Sequence, residues 1–117
     1  MAENLKFIGT HGIGTVPTDP ASPASGDPVL VGKIGGVAVN AKDGSGNTVV
    51  DFGPSVYSLS VKGIDGVGNA AVAVGDEIFY VTADTPKLSK KATGVHYGFA
   101  LEAITSGSTA TIKVLVK

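Results

Sequence analysis

The chain has 117 residues, with nine lysines and no arginine against ten acidic residues, for a net charge of −1. That length predicts one domain, since two would each fall near the lower size limit for a stable core. Without a guanidinium fork or a basic field, no nucleic-acid partner is expected, and without cysteine neither disulfide nor thiolate chemistry is available.

Residues 1–27 read as an extended N-terminal arm. Met1–Lys6 lacks a basic segment followed by an apolar one, so no secretory signal is expected, and the reading is of a soluble protein made in a cytoplasm. No run of 18 apolar residues exists, so no membrane partner is expected. Leu5, Phe7 and Ile8, with Lys6 between them, form a small apolar cluster. Behind it come Gly9, Gly12 and Gly14, and four of the six prolines fall in 15–28. Proline fixes φ and removes donors, so this stretch is expected to be extended and to make few ladder bonds. It should be mobile alone, or ordered only against a partner.

Residues 28–117 read as a β domain. Sixteen valines, seven isoleucines and ten threonines stand against six leucines, the bias of a pleated surface. Val29–Ile34 and Val37–Val39 are expected as strands separated by a bend at Gly35-Gly36. Thr48–Phe52 follows a turn at Asp43–Asn47. Val56–Lys62 alternates, placing Tyr57, Leu59 and Val61 on one face. Ala70–Ala73 could form one helical turn. Glu77–Thr82 is a continuous apolar run, expected to be buried on both sides. Val95–Glu102 places Val95, Tyr97, Phe99 and Leu101 on one face, with His96 on the other. Thr109–Val116 closes the chain with Ile112, Val114 and Val116 pointing one way. About seven short strands punctuated by turns predict an all-β fold, a small antiparallel barrel or sandwich.

The pattern D-G-x-G-N occurs twice, at Asp43–Asn47 and Asp65–Asn69. It lacks the carboxylates and closing Glu of a calcium loop and is read as a tight turn. Catalytic constellations are not assembled. His11 lies in the glycine-rich arm, and His96 has no implied partner. The adjacent pair Asp76-Glu77 would face opposite sides of a strand. Gly32-Lys33 is followed by Ile34 rather than Ser or Thr, so no phosphate loop is present, and Gly66-x-Gly68-x-x-Ala71 opens no helix. The expectation is a non-enzyme with no metal and no cofactor.

Several blocks in order resemble the capsid decoration (cement) proteins of tailed bacteriophages. They are Gly26–Gly32, Gly36–Val39, Val56–Leu59, Val74–Tyr80, Gly98–Leu101 and Ala110–Val116. The similarity covers residues 26–117 as a series of weak matches. It implies a β-tulip-like barrel, typically a homotrimer, bound to the outer face of the mature capsid through the major capsid protein and stabilising that shell. Within this reading Leu5, Lys6, Phe7 and Ile8 are the capsid-contact residues. A tail-associated or receptor-binding module of the particle is the alternative, disfavoured by three tyrosines and no tryptophan. An enzyme acting on a small substrate would need clustered titratable groups that the sequence does not supply.

Overall fold

In the computed structural model, residues 13–19 and 21–116 are described. They contain nine strands and no helix. The strands are β1 (Ile13–Val16), β2 (Pro28–Val31), β3 (Ile34–Ala38), β4 (Thr48–Asp51), β5 (Ser55–Lys62), β6 (Glu77–Tyr80), β7 (Leu88–Ser89), β8 (Val95–Ala100) and β9 (Thr109–Val116). The last five close into a barrel in the order β5-β7-β6-β8-β9, and the first four form an open sheet in the order β1-β4-β3-β2. The fold is all-β, as expected. Its pairings are antiparallel except for the short parallel contact of β5 with β7.

The spine of the barrel is the eight-residue pairing of β5 with β9, from Ser55 opposite Val116 to Lys62 opposite Thr109. Alternation along both strands sends Leu59, Val61, Ile112, Val114 and Val116 inward. Ile78, Tyr80, Leu88, Tyr97 and Ala100 complete the barrel's contribution to one core. Leu30 and Val37 of the open sheet belong to that same core. A smaller cluster of Val29, Ala38 and Val50 lies on the sheet's other face. Two tyrosine hydroxyls tie barrel to sheet. The Tyr97 hydroxyl donates to the Gly36 carbonyl at 2.5 Å, and that of Tyr80 donates to the Asp19 carbonyl at 3.0 Å.

Four expectations change. The β2–β3 turn falls at Gly32-Lys33, not at Gly35-Gly36. Gly32 has φ +62, and it occupies the first of the two central positions, where a type II′ hairpin turn places glycine. Gly35 and Gly36 lie within β3 because neighbours crowd them. A Cβ on Gly35 would stand 2.6 Å from the Tyr97 ring, and one on Gly36 would stand 2.5 Å from Val50. Second, β6 is not buried on both sides: Ile78 and Tyr80 are buried, Phe79 is half-buried and Glu77 is exposed. Third, Ala70–Ala73 is extended, bridging Val72 to Ile104. Fourth, the period-two reading of β8 breaks at a bulge. Ile78 opposes Gly98 while Phe79 opposes His96, leaving Tyr97 as the extra residue. Tyr97 and Ala100 therefore point inward, while His96, half-buried Phe99 and exposed Leu101 do not.

The stretch 1–27 also contributes more local structure than its composition predicted. β1 pairs along its length with β4, from Ile13 opposite Asp51 to Val16 opposite Thr48. Asp19 makes a two-way backbone bridge with Leu30, and its carboxylate accepts from the Thr82 hydroxyl at 2.8 Å.

Candidate interaction surface

The β8 bulge assembles an aromatic group outside the barrel. Because Tyr97 is the extra residue, His96 and Phe99 share the outward side although they are three positions apart. Their rings meet edge-on at 5.3 Å, and Phe79 on the facing strand meets His96 edge-on at 5.8 Å. Such edge contacts suit the quadrupoles of aromatic rings. Nδ1 of His96 lies 3.4 Å from a carboxylate oxygen of Glu77, so the histidine has a partner that the sequence reading did not supply.

Strand register extends this group into a row. Phe99 opposes Leu115 on β9, and Leu115 opposes Val56 on β5. Val56 is 52% exposed, while Leu115 and Phe99 are half-buried. Beyond this row the outward side chains of the same two strands are polar: Ser58, Ser60, Thr109, Thr111 and Lys113.

An open cleft of about 660 Å³ adjoins the row at His96. It lies between the β2–β3 hairpin and the start of β8, and its lining includes Lys33, Ile34, Phe52, Thr93, Val95 and His96. Ile34 is 57% exposed at its mouth. Lys33 makes no ion pair among the described residues. The lining of the cleft thus combines a lysine with apolar side chains.

Elsewhere the polar groups serve the fold. Buried Asp51 accepts from the Gly53 amide and the Tyr57 hydroxyl, both at 2.8 Å. That hydrogen bond holds the Tyr57 phenol above its ordinary pKa. Asp76 accepts from the Ala73 amide and pairs with Lys90 at 3.0 Å; the amide bond, foremost, lowers its pKa. Asp76 and Glu77 therefore have separate partners. The two D-G-x-G-N segments are tight turns, as expected: Asp43 accepts from the amides of Ser45 and Asn47, and Asp65 from those of Val67 and Gly68. These amide contacts hold both carboxyls below the ordinary aspartate range.

Among the described residues, no three His, Asp or Glu side chains converge on a metal position. No described helix is long and apolar enough to cross a membrane. The sequence-predicted contact residues Leu5, Lys6, Phe7 and Ile8, like His11, lie outside the described residues. The surface residues that the sequence reading missed are Ile34, Phe52, Val56, Phe79 and Phe99. Only the exposed alternation of β5 pointed to one of them, Val56.

A family model described as phage cement protein matches residues 9–117. No match is found among curated proteins or among solved structures.

Proposed function

The chain belongs to the phage cement protein family, and on that premise we propose that it decorates the outer surface of the mature capsid as a homotrimer and reinforces the shell. The family is structural, and its members are components of the phage particle associated with the capsid. The family match over nearly the whole chain carries the reading. The finer parts rest on physical argument. A cyclic trimer needs one surface patch to meet another, and the outward row of exposed Val56 with half-buried Leu115 and Phe99 is apolar area from which such a contact can be built. We assign the grip on the major capsid protein to Leu5, Lys6, Phe7 and Ile8, in an arm (1–27) that precedes the β domain (28–117). Three arms on one trimer engage the shell as a multivalent unit, which raises avidity without any new contact. The role is architectural, with no catalytic step, cofactor, metal, nucleic acid or membrane.

The test mixes intact protein, and protein lacking residues 1–12, with mature shells that carry neither. Intact protein is expected to pellet with the shells and to raise the temperature at which they rupture. The truncated form is expected to bind at least tenfold more weakly. Equal binding by the two forms would move the grip onto the β domain. Binding without a change in rupture temperature would leave decoration standing and remove reinforcement.

A further inference from the structure

We infer that the cleft between the β2–β3 hairpin and β8 is filled by a second copy of the chain, which inserts the turn carrying Val67. This rests on the trimeric reading above and names the two surfaces that meet. A threefold ring is built from heterologous contacts, in which each copy offers one patch to one neighbour and a different patch to the other. The described surface supplies such a pair, one convex and one concave.

The convex member is the turn that follows β5. Asp65 accepts from the amides of Val67 and Gly68 at 2.8 and 3.0 Å, and its own amide donates to the Gly68 carbonyl at 2.8 Å. Ile64 bridges to Asn69 at the base. The turn is therefore fixed before any partner arrives, which lowers the ordering cost of docking. What it presents is Val67, fully exposed. The concave member is the cleft of about 660 Å³, where Ile34, Phe52 and Val95 supply apolar surface for that valine. Charge agrees with shape. Lys33 lines the cleft and makes no ion pair among the described residues, while Asp65 stands two positions before Val67.

Placement makes the contact head-to-tail. Phe52 lies three residues before the start of β5, and Val67 lies five residues after its end. The eight residues of β5 span about 23 Å, so the turn and the cleft of one chain sit beyond opposite ends of that strand. A turn fixed by its own hydrogen bonds does not fold back over that distance, so the occupant comes from another copy. The cleft also adjoins the row of Val56, Leu115 and Phe99 at His96, which makes cleft and row one continuous receiving surface.

The chain contains no cysteine, so an introduced pair reports proximity without background. Full-length Ile34→Cys/Val67→Cys protein is oxidised in solution and on decorated shells, then run on denaturing gels without reductant. Covalent trimers are expected as the largest species, at least tenfold more abundant than with Val39→Cys/Val67→Cys, since Val39 is exposed outside the cleft lining. Sedimentation in solution and lysine cross-linking on shells read the trimer independently. A trimer in which the 34/67 pair links no better than the 39/67 pair would overturn the inference and leave the trimer standing. So would a disulfide within one chain, or linked series longer than three. Absence of any trimer, in solution and on shells, would remove the trimeric reading and the inference with it. Val67→Asp, at a fully exposed position, is expected to keep the unfolding midpoint and to raise the trimer's dissociation constant at least tenfold. An unchanged constant in that variant would also contradict the inference.

Discussion

At the scale of single residues, Tyr97 does most to join the two halves of the molecule. It is the extra residue of the β8 bulge, its ring covers Gly35, and its hydroxyl donates to the Gly36 carbonyl. Tyr97→Phe preserves the ring but removes the hydroxyl donor to that carbonyl, and a hydrogen bond of this kind contributes about 0.5–1.5 kcal/mol. Urea unfolding should show a lower midpoint with an unchanged slope. An unchanged midpoint would mean the hydroxyl contributes nothing. The same residue makes a prediction about pH. Burial, first, raises the pKa of Tyr97 and of Tyr80 above the ordinary tyrosine value of 10.0, and the Asp51 hydrogen bond raises that of Tyr57. For groups whose folded pKa is raised, the stabilisation is fully present below the unfolded value and drains away as pH climbs past it. Stability should therefore fall above pH 10, with Tyr97 alone contributing a loss of up to about 1.4 kcal/mol per pH unit. Tyr97→Phe should flatten that alkaline decline, and a decline of equal steepness in the variant would contradict the assignment. Residue types alone already identified the two D-G-x-G-N turns, because aspartate capping of nearby amides is a local event. Gly35-Gly36 was misread because its cause is not local: the glycines make room for Tyr97 and Val50 from other strands.

At the scale of elements, the long strands were legible and so were the apolar runs of β2, β4 and β6, whereas β1 and β7 were not. β5 and β9 each bury one face against a single core, so their hydrophobic alternation is undisturbed. β1 carries Gly14 and is defined by its backbone pairing with β4, and β7 has only two residues. Neither is long enough to display a period. The outward aromatic group was hidden for a related reason. A bulge moves every later side chain to the opposite face, and nothing in Val95–Ala100 marks where it falls. The chain's N-terminal elements differ in what they hold. Deleting residues 1–12 keeps β1, the Asp19 bridge and every described core residue, so the thermal midpoint is expected to move by less than about 2 °C. Deleting residues 1–19 removes one of the two pairing partners of β4 and both acceptors from Tyr80 and Thr82. The buried Tyr80 hydroxyl alone then costs about 1–3 kcal/mol, or several degrees of melting temperature. Equal midpoints for the two truncations would show that β1 and Asp19 contribute nothing to the folded domain.

At the scale of the whole molecule, a closed barrel leaves few routes to assembly. Its five strands have no free edge, so subunit contacts must come from outward side chains or from the open sheet. The row of Val56, Leu115 and Phe99 offers such side chains. Val56→Asp places a carboxylate at an exposed strand position, where a substitution normally changes stability by less than about 0.5 kcal/mol. It should leave the monomer folded while shifting sedimentation from trimer to monomer, on the shell or in solution. A trimer of undiminished stability in that variant would remove the row from the subunit contact. Attachment to the capsid can be measured by titrating purified protein onto mature shells that lack it. Bound protein is then measured by pelleting against the amount of major capsid protein. A saturable curve with a fixed plateau ratio is expected, with density confined to the outer face of the shell by electron microscopy. Protein that stays in the supernatant at all concentrations, or that binds without a plateau, would contradict it.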